Sequence, residues 1–246
     1  MAGIKLALVG ESGSGKSTSL FNLTEFGIPN VGLDPKETLI LSPTNKELPV
    51  KGGRKLYPSN LKSISEGLRY ITNLSAGAMV GIINSVGNSP EKDKPDLSFI
   101  KNIIIDDAQY LQSLYLMDKV DETGYGKFTE TAVRAYNPIK AVNLLKRNDL
   151  IVVFIYHTEI DEKTGRIKIK TSGKMVDSSL GGLDGLFTTL LYSECKYDVV
   201  TGKVSYVLNT HNSGKNTCKS PLGMFTEDVI PNDLGMVCKT MRDFYS

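Results

Sequence analysis

The chain is poor in the residues that build metal centres and disulfide frameworks. Its three cysteines, Cys195, Cys218 and Cys238, are odd in number, widely spaced and form no C-x-x-C pair. That argues against a disulfide framework or a zinc site and fits a reducing cytoplasm. The two histidines, His157 and His211, are too few for a histidine-rich metal centre. Arginine is scarce: Arg54, Arg69, Arg134, Arg147, Arg166 and Arg242 form no cluster, which lowers the case for the arginine-rich lid of a small-molecule kinase. Neither sign of charge dominates, and a net +2 gives no global pull toward nucleic acid or membrane. No apolar run is long enough to span a bilayer. The first apolar run is interrupted by Lys5, so a signal-peptide pattern is missing and no membrane partner is expected. Repeats, low-complexity tracts and linkers are absent too. The 246 residues suffice for one sizeable core. One domain over 1–246 is expected, with its core to about 212 and a C-terminal loop and helix over 213–246.

What is present is concentrated near the start. Gly10-Glu11-Ser12-Gly13-Ser14-Gly15-Lys16-Ser17 fits the phosphate-binding spacing G-x-x-x-x-G-K-S/T, followed by Thr18. Ile4–Val9 before it reads as a buried strand, and Lys16–Leu23 after it as the first turns of a helix. Glycines let successive N–H groups point inward at phosphate oxygens. A helix N-terminus adds partial positive charge. Lys16 supplies a point charge to the outer phosphates, and the Ser17 hydroxyl can ligate Mg²⁺.

Apolar runs then alternate with helical patterns, which predicts an α/β protein with a mainly parallel central sheet. Strands are expected at 38–41, 99–105 and 151–156. Helices are expected from Ser59 or Asn60 through Leu61, Ile64, Leu68 and Ile71, over 75–86, over 109–116, and from Asn137-Pro138 through Ile139, Val142 and Leu145. Residues 118–128 read as a loop. Thr164-Gly165-Arg166 and Thr201-Gly202-Lys203 read as hairpin turns, giving the second half antiparallel character with its clearest strands at 187–194 and 204–209. A helix closes the chain after Pro231.

Ile103-Ile104-Ile105-Asp106-Asp107 has the form of an apolar strand delivering a carboxylate at its carboxyl end, where ligands bind in open α/β sheets. Asp106 there can hold a Mg²⁺-bound water. Asp107 is a candidate to orient attacking water; many ATPases of this loop type carry glutamate at that place, and aspartate is shorter. The next strand ends in His157-Thr158-Glu159. His157 can donate a hydrogen bond to the terminal phosphate in either protonation state. Glu159 is a second candidate base. Thr44-Asn45-Lys46-Glu47 resembles a guanine-reading Asn-Lys-x-Asp only superficially, since it precedes the Asp106 strand, so ATP with Mg²⁺ is preferred over GTP.

Period-two spacing places Arg166, Lys168 and Lys170 on one strand face, with Lys174 following. They are candidate contacts to single-strand phosphates, against the alternative of a solvated edge hairpin. Lys215 and Lys219 follow a late strand and are candidate fingers toward a neighbouring subunit's nucleotide.

Taken in order, the early loop, Leu48-Pro49, Ile104-Ile105-Asp106-Asp107, Phe154-Ile155-Tyr156-His157-Thr158-Glu159 and Lys219–Phe225 resemble the RecA-like ATP-binding proteins of bacteriophages, a group that includes single-strand annealing ATPases. The resemblance covers nearly the whole chain. It implies a RecA-like P-loop core, ATP hydrolysis at subunit interfaces of a homo-oligomer, and single-stranded DNA binding in recombination or replication beside a phage partner protein, in the host cytoplasm. By position it places DNA-binding loops at 118–128, with Tyr125, Lys127 and Phe128, and around Arg166–Lys174. Two departures stand out. The family's catalytic glutamate after the second strand is replaced by Ser42-Pro43-Thr44. The first strand begins almost at Met1, so an N-terminal oligomerisation segment is not expected, which weighs against a filament and leaves ring or partner-dependent assembly open.

Overall fold

The computed structural model describes residues 3–172, 176 and 182–246; the predicted contact Lys174 lies outside them. A large, mostly parallel sheet organises the chain. Its strands are β1 (Ile4–Gly10), β2 (Thr38–Leu41), β3 (Tyr70–Ile71), β4 (Asn102–Ile105), β5 (Ile151–Ile160), β6 (Ile167–Ile169), β7 (Thr189–Asp198), β8 (Lys203–Asn209) and β9 (Val229–Pro231). They run in the order β3-β2-β4-β5-β1-β7-β8-β9, with β6 hydrogen-bonded to β5. β3, β2, β4, β5, β1 and β7 are mutually parallel. The antiparallel character predicted for the second half is present: β6 folds back on β5, β8 on β7 and β9 on β8.

The parallel strands read as continuous apolar runs because both of their faces are covered. The pleat sends alternate side chains to opposite faces. Ala7, Val9, Leu39, Leu41, Ile103, Ile105, Val152 and Phe154 face one cluster. There they pack against Met79 and Ile83 of α2 (Ala76–Gly87) and Ile139 and Val142 of α4 (Gly126–Val142). Leu6, Leu8, Ile40, Ile104, Val153 and Ile155 face the other, with Leu20, Phe21 and the Leu234, Val237, Cys238 and Met241 face of α5 (Leu234–Tyr245). Two capped helices form where they are expected. The Ser75 hydroxyl accepts the Ala78 N–H at the start of α2, and Asp233 caps α5.

Four local expectations fail, each for a visible reason. No α-helix follows the glycine-rich loop; a single 3-10 turn spans Thr18–Leu20. Hydroxyls of Thr18 and Ser19 bond back to the carbonyls of Gly15 and Lys16, and Asn22 accepts the Thr24 N–H, so local side chains compete with helix propagation. Phe21 then turns extended and buries in the second cluster. The helix-terminus charge predicted at the loop is therefore missing. The 59–71 stretch is not helical either: the N–H groups of Arg69 and Tyr70 both donate to Pro58 O, and Tyr70-Ile71 join the sheet beside β2. The only helix nearby, α1, is the single turn Gly53–Leu56. Strand β4 is shorter than predicted, because Leu97–Ile100 form a turn. Finally, α3 (Tyr110–Asp118) is followed by a helix that begins at Gly126, so Asn137-Pro138 lie inside α4 rather than at its start. Burial of Ala132, Ala135, Pro138, Ile139 and Val142 in one face outweighs the hydrogen bond that proline forfeits. Lys127 and Phe128 consequently sit on the first turn of α4, not in a loop.

Candidate functional site

The carboxyl ends of β4, β5, β1 and β7 meet at one edge. Gly10, the last residue of β1, pairs with His157 on β5 and Ser193 on β7. The chain crosses to opposite sides of β1 on leaving it for β2 and on arriving at β7, and such a switch point opens a crevice above the strand ends. A cleft of about 370 Å³ lies there, lined by loop residues 12, 13 and 15–18 together with Lys46, Glu47, Pro49, Asp107, His157 and Tyr206.

The loop is braced from below and left bare above. The Ser193 hydroxyl donates to Ser14 O at 2.6 Å, and Asn232 Nδ2 to Gly15 O at 2.9 Å. Gly15 has φ +92°, and a Cβ there would meet the Asn232 amide and the Tyr206 ring, both at 2.8 Å. Ser14 is buried, with a hydroxyl that has no partner among the described residues. Among the described residues the N–H groups of Gly13, Gly15, Lys16 and Ser17 likewise meet no protein acceptor. The buried Lys16 ammonium folds back on its own loop, donating to Gly10 O at 2.9 Å and Glu11 O at 2.6 Å. Burial pulls it down to about 8, while Asp107 and Asp106 oppose the shift. Glu11 is exposed, and its carbonyl accepts from Lys16.

Asp106 is 1% exposed at the end of β4. The Ser17 hydroxyl donates to its Oδ1 at 3.2 Å. Burial, then the neighbouring Asp107 charge, pushes this carboxyl up to about 6. It is a desolvated carboxylate with cations near it and, among the described residues, none in ion-pair contact. Asp107 is its opposite. Burial raises it too, but hydrogen bonds from His157 and Lys46 outweigh that and hold it at about 2. Lys46 forms a direct ion pair with Asp107 Oδ2, and His157 Nε2 lies 3.4 Å from Oδ1. Gln109 accepts the His157 N–H at 3.2 Å through its Oε1, tying α3's entrance to β5 beside the end of β1. Asp107 has φ +58°, a strained conformation for a residue with a side chain, of the kind found at functional sites.

The donor set fits a magnesium nucleotide. A hydroxyl and a carboxylate oxygen at 3.2 Å are the hard ligands Mg²⁺ takes, and that ion ordinarily leaves its remaining positions to water and phosphate. Unpaired loop amides are the complement of phosphate oxygens.

The remaining predicted residues lie outside the cleft. Glu159 sits one pleat beyond His157, with its carboxylate 3.5 Å from Lys168 in the β5–β6 hairpin. Lys168 is also 3.4 Å from Asp161, so two acids hold it. Arg166 and Lys170 are exposed, and the Lys170 N–H donates to His157 O, which links the hairpin to the site. Tyr125 is 88% exposed, whereas Lys127 caps the carbonyls of Lys119 and Glu122 and lies over the Phe128 ring. Lys215 is exposed, with its carbonyl accepting the Ile167 N–H; Lys219 is bridged through its backbone to Leu190 of β7.

Sequence reasoning missed Lys46, Gln109, Ser193, Tyr206 and Asn232. Lys46 stood in a stretch weighed only for guanine recognition. The others carry no local signal and arrive through sheet order. No protein-family model matches this chain, and no curated protein matches it, so the site is read from its own residues.

Proposed function

We propose that this chain binds Mg·ATP in the cleft above β1 and hydrolyses it slowly. The single observation that carries the reading is the row of unpartnered loop amides beside the Ser17–Asp106 oxygen pair. The Gly13, Gly15, Lys16 and Ser17 amides bind phosphate oxygens, and the Lys16 ammonium neutralises charge on the outer phosphates. Ser17 and Asp106 hold magnesium, which supplies Lewis-acid stabilisation when bound. Asp107 orients water for in-line attack on the terminal phosphate, and His157 reports the state of that phosphate to the β5–β6 hairpin. A carboxyl held near 2 is a poor proton acceptor, so Asp107 positions water far better than it deprotonates it.

That same observation favours a second reading, a nucleotide-dependent switch or loader that docks a partner with little hydrolysis. The Ser42-Pro43-Thr44 run after β2, where the resembled family carries its glutamate, points the same way. In either case we place the chain with the phage RecA-like ATPases that act on single-stranded DNA in recombination or replication. It would work as a homo-oligomer, with Lys215 and Lys219 as its candidate fingers in trans. Order β3-β2-β4-β5-β1-β7 of parallel strands, with the loop at the end of β1, supports that placement.

Calorimetry with Mg·ATP and a phosphate-release assay test the reading together. Lys16→Ala is expected to lower turnover by about 10²–10³, the usual loss for one preorganised charge-stabilising donor. Undiminished turnover in that variant refutes the site. Stoichiometric retention of ATP without phosphate release selects the switch.

A further inference from the structure

A second hollow adjoins the phosphate cleft. It measures about 480 Å³, within the usual range for ligand sites, about 300–1,000 Å³, and shares Lys46 and Glu47 with the cleft. Beside the charged Lys46, Glu47 and Arg54, its walls carry the neutral polar side chains Asn45, Ser59, Asn60 and Thr72 around Tyr57 and Tyr70. The amides offer both donors and acceptors, which is the chemistry that reads the edge of an unpaired base.

The segment that supplies most of this lining is basic. Residues 46–65 carry Lys46, Lys51, Arg54, Lys55 and Lys62 against one acid, Glu47, so this stretch holds more positive charge than the +2 of the whole chain. Glu47 is taken up by Arg54. Lys51, Lys55 and Lys62 are exposed and meet no acid among the described residues. Among the predicted contacts, Arg166 and Lys170 are likewise exposed and meet no acid among the described residues, but the other two differ. Lys168 is held by Glu159 and Asp161, and Lys127 by backbone carbonyls.

We propose that single-stranded nucleic acid binds here, its phosphates along Lys51, Lys55 and Lys62 and an unstacked base in the hollow bounded by Asn45, Asn60 and Tyr70. A duplex does not fit, because its bases are stacked and cannot enter a concave pocket. The inference rests on the nucleic-acid part of the function proposed above and assigns it a surface on the Lys46–Glu47 side of the cleft.

The test is fluorescence anisotropy on the whole chain without nucleotide, using labelled oligo(dT), the matching oligoribonucleotide and an abasic strand of equal length over a salt series. Folding of each variant is checked by circular dichroism. The combined Lys51→Gln, Lys55→Gln and Lys62→Gln variant is expected to flatten the log-affinity against log-salt slope by about 2, at roughly 0.7 per lost phosphate contact. Arg166→Gln with Lys170→Gln leaves the slope near that of the wild type. The reverse pattern overturns the proposal, as does wild-type protein that binds inorganic phosphate but no strand. Weaker binding of the abasic strand supports the base pocket, and equal binding removes it. The two oligonucleotides distinguish DNA from RNA as the favoured strand. Since nucleotide is absent throughout, failure here leaves the Mg·ATP reading standing, and failure of Mg·ATP binding leaves this surface standing.

Discussion

Replacing Asp106 by asparagine should make the metal-free protein more stable while abolishing Mg²⁺-dependent turnover. The carboxyl is 1% exposed and is pushed from 3.8 up to about 6. A shift of that size corresponds to about 3 kcal/mol of destabilisation at neutral pH. The folded-state value lies above the unfolded one, so folding takes up a proton. Wild-type stability therefore rises as pH falls from 7 through 6 toward 4, with about half of the penalty relieved by pH 5. In Asp106→Asn this rise disappears. The new amide leaves a buried donor to satisfy, which returns about 1–2 kcal/mol, so the net gain at pH 7 is about 1–2 kcal/mol. That corresponds to roughly 2–8 °C in Tm for a chain of this size. Below pH 4 both proteins lose stability. Asp107 and Asp149 have folded-state values below their unfolded ones, and their contribution is lost as pH falls through them. The assay is thermal unfolding by circular dichroism in EDTA at half-unit intervals from pH 4 to 8, followed by phosphate release with Mg·ATP. If the variant keeps the wild-type pH profile, Asp106 is not the desolvated carboxylate described above. If it keeps Mg²⁺-dependent turnover, Asp106 is not a metal ligand.

Other outcomes follow from single contacts. A Cβ at Gly235 would lie 1.9 Å from Gly32 O, a backbone atom that cannot swing aside, so Gly235→Ala should cost about 3 kcal/mol and lower Tm by roughly 6–12 °C; an unchanged melt would falsify the packing of α5 on that loop. Ser75→Ala removes the α2 cap and should cost about 1 kcal/mol, read as the urea midpoint at constant m-value. Lys46→Gln takes one cation from Asp107, and carboxyl-carbon NMR should find that group titrating above its wild-type value of about 2. Identical titration curves would mean the ion pair does not form in solution.

The site was legible where chemistry is local and hidden where topology supplies it. The loop from Gly10 to Ser17, Asp106 at a strand end and His157 in the next strand, which runs on to Ile160 rather than ending at 156, all carry their signal in a few adjacent residues. Sheet order then places them together. β1, β4 and β5 were readable because burial on both faces leaves an unbroken apolar run. The Gly165 and Gly202 turns were readable because both adopt the positive φ that such turns require. Helical spacing of Leu61, Ile64, Leu68 and Ile71 misled, since the backbone donors of Arg69 and Tyr70 find Pro58 O and Ile71 enters the sheet. Asn137-Pro138 looked like a helix start, yet the helix around it is held by packing on the sheet. The Lys46–Asp107 pair had no local signature at all.

The braces beneath the glycine-rich loop have a consequence for synthesis. Residues 10–18 leave the ribosome early, but Ser193, Asn232 and Asp233 come late: Ser193 holds Ser14, Asn232 holds Gly15, and the Asp233 carboxylate accepts the Val31 and Gly32 N–H groups. At about 5–20 residues per second, the gap between the first and last of these is ten seconds or more. A nascent chain thus carries the whole motif for that interval without the scaffold that shapes it. The shape of the loop waits on residues made about two hundred positions after it.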